Sequence, residues 1–212
     1  MTTLKVGGAT IDFKSALARA KNYLVDSPET SAYPAYDGYP GSDTPEVAQQ
    51  DLLAIVLLNV SNNPVPVYNG LQALLPRINE KLQDPSLHGD LATAGPETIE
   101  GLVNLFGVLE EQPTKYVRLT TLSKVLHRKR PELIPLFDDN IYYCYTKCAG
   151  APVPEEVGRS RAGYRRAWLS ALQADLLAHM QQWQEIALIA PGPKITPVRA
   201  LDIIGWELGK RP

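Results

Sequence analysis

The segment Thr44–Val60, TPEVAQQDLLAIVLLNV, decides how the rest of the chain is read. A threonine followed by proline is the grammar of a helix start. The Thr44 hydroxyl can accept from the first unpaired N–H groups, and Pro45 has no N–H to lose at the first helical position. From Leu52 to Val60 the residues are almost continuously apolar, so the helix predicted here has little polar face and belongs at the centre of a core.

Working outward, the same reading recurs. Upstream, DSPETSAYPAYDGYPGSDTP (Asp26–Pro45) sustains neither a helical nor a strand period and reads as a long loop. Loops of that length inside a compact domain are usually functional or disordered, and Tyr33, Tyr36 and Tyr39 argue for order, because rings gain by packing. Two readings of the loop stand: it lies over the helices, or it lines a ligand cleft. Before it, LKVGGATIDF alternates around Gly7-Gly8 as a short hairpin, the only sheet expected, and Asp12 caps a helix reaching about Val25. Downstream, SNNPVPVYNG reads as a link, followed by an amphipathic helix through Leu71, Leu74, Leu75, Ile78 and Leu82, with Pro76 kinking it or delaying its start. GPETIEGLVNLFGVLEEQ, TKYVRLTTLSKVLHRK and a segment opening at Asp138 or Asp139 supply further helices. A single long helix from Arg161 to about Ile189 and a closing Thr-Pro-capped helix in ITPVRALDIIGWELGKR complete the set. The expectation is an all-α fold, a compact bundle of about eight helices with an N-terminal hairpin. The chain reads as one domain over residues 1–212, with 1–12 as a hairpin arm and 26–45 as the tyrosine-rich loop.

Composition excludes several classes. The chain has 212 residues, 44% of them hydrophobic and 21% charged, too apolar for disorder. Its start lacks the basic-then-apolar pattern of a signal peptide and no apolar run is long enough to span a bilayer, so a cytoplasmic protein without membrane partners is expected. Cys144 and Cys148, four apart, read as two buried thiols in a reducing compartment. With His88, His127 and His179 they form no recognisable zinc set, and no metal or cofactor is expected. No Walker loop, dinucleotide fingerprint or nucleophile elbow occurs.

The charge is uneven. Residues 1–100 hold 6 Lys/Arg against 12 Asp/Glu, whereas 101–212 hold 15 against 11. Between Pro113 and Pro135 lie Lys115, Arg118, Lys124, Arg128, Lys129 and Arg130 with Glu132 as the one acid. The stretch SKVLHRKRPELIPLFDDN (Ser123–Asn140) therefore admits two accounts. In one, Pro131 and Pro135 shape a turn, Leu133, Ile134 and Leu136 plug the core, and an aspartate caps the next helix. In the other, the aspartate faces a basic helix end beside an anion-attracting cleft. A second cation group, Arg159, Arg161, Arg165 and Arg166, loads the start of the long C-terminal helix, where it opposes the helix dipole.

SKVLHRKRPELIPLFD, DLLAIVLLNV, YDGYPG and VRALDIIGW together resemble an uncharacterised, mainly actinobacterial family with the pattern K-x-L-x-R-K-R-P-x-L-I-P-x-x-D, over about residues 33–208. More distantly, helix, basic turn, P-x-x-x-P and aspartate resemble the catalytic segment of the helix-hairpin-helix DNA glycosylase superfamily. That resemblance implies a glycosylase-like core, with Asp138 (Asp139 as fallback) stabilising a sugar cation and Lys124 as nucleophile. The L-P-G-x-G hairpin of that superfamily has no counterpart here.

Three functions follow as expectations. A nucleic-acid or nucleotide binder or enzyme would use His127, Arg128, Lys129 and Arg130 on phosphate, with Tyr36 or Tyr39 stacking on a base. A small-molecule protein would close the tyrosine loop over a pocket, with Tyr36, Asp37 and Tyr39 as polar handles and an arginine holding an anionic group. A non-catalytic interaction module would use the motif for architecture alone.

Overall fold

The computed structural model describes residues 2–58 and 63–211. Among these residues the fold is all-α with a single antiparallel hairpin, and it divides into two compact units, Met1–Ser31 with Phe137–Pro212, and Ala32–Leu136.

In the first unit, β1 (Thr3–Val6) pairs with β2 (Ala9–Asp12) in the register Val6 to Ala9. Gly7 turns between them at φ +62°, with the Cys144 carbonyl so close that any Cβ would collide. Asp12 caps α1 (Phe13–Lys21) by accepting from Ser15 N–H at 3.0 Å, and the helix continues as a π turn over Asn22–Asp26. After the second unit the chain returns through α6 (Asp139–Tyr142), a π turn over Tyr143–Lys147, α7 (Arg161–Ala178), α8 (Met180–Ala187) and α9 (Pro197–Gly209). The single long helix expected from Arg161 is broken: His179, at φ −138° and ψ 32°, leaves the helical region and separates α7 from α8. The break lets the fully buried Trp183 donate its indole N–H back to the Asp175 carbonyl at 3.1 Å. At the start of α7, Arg159 pairs with Glu156, an acid from the chain itself.

Helix α9 is the axis of this unit, packing against the hairpin, α1, α6, α7 and α8. Thr196 caps it by accepting from Arg199 N–H at 3.1 Å, as the sequence predicts. Its first two turns also bury an ion pair, Arg199 with Asp202, and Arg199 reaches the Tyr23 hydroxyl at 3.2 Å.

In the second unit, the helix expected from Thr44 does not form there. Asp43–Glu46 is a bend, and a 3-10 helix runs over Gln49–Leu58. The end of the expected helix, Asn59 and Val60, and the next two residues of the link lie outside the described residues. The link is also shorter than expected, because α2 (Pro64–Leu82) starts seven residues before Leu71. Pro64 and Pro66 sit in the first turn, where N–H groups have no intrahelical partner, so their rings cost little there. Pro76 is accommodated inside the helix. Val67, Leu71, Leu74, Ile78 and Leu82 form its buried stripe at spacings of three and four. Then come α3 (Pro96–Phe106), α4 (Val108–Glu111) and α5 (Leu119–Lys129). Lys81 on α2 joins the next two helices, donating to Asn104 Oδ1 and Glu111 Oε1, each at 2.7 Å. The 3-10 helix packs on α2 and α5 through Leu52, Ala54 and Ile55.

Candidate functional site

The basic end of α5 and the tyrosine loop come together in the second unit. Arg130 ends α5 with its N–H on the Leu126 carbonyl at 3.1 Å, and its own carbonyl accepts from Leu133 and Ile134 N–H. The chain thereby folds back tightly between Pro131 and Pro135, and the Ile134 carbonyl meets His127 Nδ1 at 2.6 Å. That contact requires the proton on Nδ1, because a carbonyl only accepts. His127 is therefore a buried brace of the turn, and Tyr36 stacks on its ring at 6.3 Å between centroids.

Loop 32–48 is held by the neighbouring cations. The fully buried Tyr36 donates its hydroxyl to the Lys124 carbonyl at 2.7 Å, and Lys124 itself is buried. Arg128 lies over the Tyr36 ring, 5.7 Å from its centroid, and donates to the carbonyls of Asp37, at 2.8 Å, and Tyr39. Tyr39, half-buried against the cluster of Tyr36, Ala54 and Leu136, donates its hydroxyl to the Gln50 carbonyl at 2.8 Å. Lys129 donates to the carbonyls of Ser42 (2.9 Å) and Thr44 (3.1 Å), to the Ser42 hydroxyl, and to Asp51 Oδ2 at 2.9 Å. The side chains of this pair are 6% and 2% exposed. Arg130, half-buried, donates to the Lys129 carbonyl at 3.0 Å.

Asp51 is the counterpart that the motif does not contain. Its Oδ1 accepts from Ser42 N–H (2.8 Å), and its Oδ2 accepts from the Ser42 hydroxyl (2.6 Å) and Ala48 N–H (2.7 Å) besides Lys129. Burial works to raise this carboxyl, but Ala48 N–H, Ser42 and the Lys129 ammonium outweigh it and hold the group below its ordinary value. Gly41, at φ +60°, lies against Asp51 Oδ1 where any side chain would collide. Asn79 of α2 completes the clamp, accepting from Val47 N–H at 2.8 Å and donating to the Val47 carbonyl at 3.0 Å.

The candidate residues therefore fall into two groups. Lys124, His127, Arg128, Lys129, Tyr36, Asp37 and Tyr39 are gathered in one network, with Arg130 at its edge. Asp138 belongs to the other unit, where its Oδ1 accepts from Asn140 N–H (2.9 Å) and Ile141 N–H (2.8 Å) and caps α6; Asp139 follows, exposed, in the first turn. Sequence reasoning missed Asp51, Ser42 and Asn79. The one signal was an aspartate standing at the head of an otherwise apolar run.

The first unit holds, besides Asp202, another buried carboxylate, Asp175. Asp175 Oδ2 accepts from Gly7 N–H at 2.7 Å and from the Tyr145 hydroxyl at 2.9 Å. Burial outweighs both donors and raises this carboxyl, and it drives the Tyr145 phenol well above its ordinary value beside Asp175. Burial also pushes the Cys144 thiol up to about 12. Cys148 is half-buried, so the expectation of two buried thiols holds for Cys144 alone. A groove of about 830 Å³ on the second unit is lined by Asp84, His88, Glu97 and Glu100 among others. Among the described residues no group of three His, Cys, Asp or Glu is placed to hold a metal ion, and no helix is long and apolar enough to cross a membrane.

These features define a helical protein with internally clamped charges and none of the common catalytic signatures. The chain belongs to a family of unknown function (DUF6308), whose model matches residues 16–209. No curated protein and no solved structure matches the chain.

Proposed function

We propose that the chain is a protein-binding module whose recognition surface is the clamped loop together with the 3-10 helix that follows it. One observation carries this reading: an apolar ridge stands on a segment whose shape is fixed from behind. Leu53 and Val56 are 49% and 55% exposed, and residues three apart on a 3-10 helix eclipse one another. On the other side Asp51 is tied to Lys129. A buried ion pair is a poor source of stability compared with apolar packing, but it selects one geometry. Holding a surface loop this way makes sense where the loop's shape is used. Asp43 and Glu46, on the turn that Asp51 anchors, are exposed and form no ion pair among the described residues. The matching partner carries an apolar strip bordered by Lys or Arg.

In this reading Arg128 and Lys129 serve the loop, Asp138 is a helix cap, and Lys124 contributes its backbone and a buried stem. A phosphate ligand at the basic turn would have to draw Arg128 and Lys129 from partners they already hold. The free thiols of Cys144 and Cys148 suit action in the cytoplasm.

The test pairs two measurements. Partners captured by the wild type are purified and titrated against wild type and a Leu53→Glu/Val56→Glu variant. The variant is expected to weaken binding by about tenfold or more. Gel shifts on single-stranded, duplex and abasic DNA are expected to show no retention. Retention that falls with salt and vanishes in Arg128→Ala/Arg130→Ala overturns the reading in favour of a nucleic-acid ligand.

A further inference from the structure

The backbone hydrogen bonds of residues 44–51 can be accounted for one by one, and the accounting is unusual. In an α-helix starting at Pro45, the Thr44 carbonyl would accept from Ala48 N–H and the Val47 carbonyl from Asp51 N–H. Instead the Thr44 carbonyl accepts from Lys129 Nζ at 3.1 Å, and Ala48 N–H donates to Asp51 Oδ2 at 2.7 Å. The Val47 carbonyl accepts from Asn79 Nδ2 at 3.0 Å, and Asp51 N–H turns to the Ala48 carbonyl at 3.1 Å, a 3-10 bond. Three side chains, Lys129, Asn79 and Asp51, thus occupy the groups that an α-helical ladder needs. The sequence nevertheless keeps the complete α start signal, with Thr44, Pro45 and the acidic Glu46 in the first turn.

A 3-10 helix of ten residues is itself a sign of constraint, since such runs seldom exceed three or four residues.

We propose that residues 44–58 are a two-state element, held as a bend and a 3-10 helix by Asp51, Lys129 and Asn79, which winds into an α-helix capped by Thr44 when those side chains release it. The two states present different surfaces. Leu53 and Val56 eclipse in the 3-10 form, but lie about 60° apart around an α-helix, and the ten residues shorten by about 5 Å. Winding therefore skews and shortens the outward ridge, leaving Leu53 and Val56 on one face but no longer in line. As a docking device this rests on the protein-binding reading; as a conformational equilibrium it stands without it.

The test reads backbone geometry, so it can fail or succeed apart from any binding result. NMR of the full chain should show Hα(i)–HN(i+2) contacts across residues 49–58 in the wild type. In a Lys129→Met/Asn79→Ala variant, Hα(i)–HN(i+4) contacts should replace them and extend back to Pro45. A folded variant that keeps the 3-10 contacts, or that shows no helical contacts over 45–58, overturns the proposal. If the double variant does not fold, Asn79→Ala alone decides, because it leaves the Lys129–Asp51 pair in place. Removing one of the three holds shifts the equilibrium, so a Val47 Hα–Asp51 amide contact stronger than in the wild type supports the two-state element, and contacts over 44–58 unchanged from the wild type overturn it.

Discussion

Two buried aspartates, one in each unit, meet opposite fates. Asp51 has an ammonium at 2.9 Å and three further donor contacts, and its carboxyl is held below its ordinary value. Asp175 receives a backbone N–H and a phenol but no cation at contact distance among the described residues, and its carboxyl is raised. Burial acts on both in the same direction, so the partner set decides the sign. The comparison separates two ways of fixing a loop. A charge pair joins loop 32–48 to α5, and a lone carboxylate anchors the hairpin turn at Gly7 to α7 and Tyr145.

The largest expected effect is at the charge pair. Lys129→Met leaves a buried carboxylate without its cation and should cost about 3–5 kcal/mol in chemical denaturation, with Asp51→Ala, which strands the ammonium, in the same range. Asp175→Ala strands the Gly7 N–H and the Tyr145 hydroxyl, a loss of about 1–3 kcal/mol for each group left unsatisfied. The second cost should be the smaller, because the variant also removes a carboxyl whose burial is itself unfavourable, which offsets part of the loss. An equal or larger loss at Asp175 would break the distinction.

Acidity sharpens the comparison, because the signs differ. A carboxyl depressed in the folded state contributes stability that is present above the ordinary value of 3.8 and is lost as pH falls through the folded value. The Asp51→Asn variant should therefore lose less stability than the wild type as pH falls below about 4. A raised carboxyl does the opposite: its contribution is complete below 3.8 and is lost as pH rises through the folded value. Asp175, facing Lys5, His179 and Tyr145, should thus make Asp175→Asn comparatively more favourable at neutral than at acid pH. Parallel denaturation series with the same pH slope for both variants would contradict this.

The smallest effect belongs to Asp138. Asp138→Ala removes an N-cap and should cost about 1 kcal/mol, measurable by the same denaturation, without loosening loop 32–48 toward protease.

Much of the fold was legible because its instructions are local. Gly7-Gly8 between alternating residues gave the hairpin, Thr196-Pro197 opened α9, and Pro131 stopped α5 where its ring forbids continuation. Residues 44–58 misled for a physical reason. The local signals at Thr44 and Pro45 are present, but Lys129 and Asn79, 85 and 32 residues from the carbonyls they bind, take over the backbone groups that those signals would have used. His179 escaped notice in the same way, since the apolar period runs through it and only the Trp183–Asp175 bond reveals the break. Near the basic turn, the cations crowded against prolines fall at the end of α5, and Tyr36 and Tyr39 belong to the same network. Their role as a clamp could not be read, because the decisive acid, Asp51, lies far away in sequence at the head of an apolar run.

The cations of α5 act on the chain's own loop. A double-mutant cycle on Lys129→Met and Asp51→Asn, followed by denaturation at neutral pH, tests it most directly. Direct pairing predicts a coupling of about 1 kcal/mol or more, with the double variant recovering much of the Lys129→Met loss. Additive losses would mean that the two groups act independently, and the clamp as described would not exist.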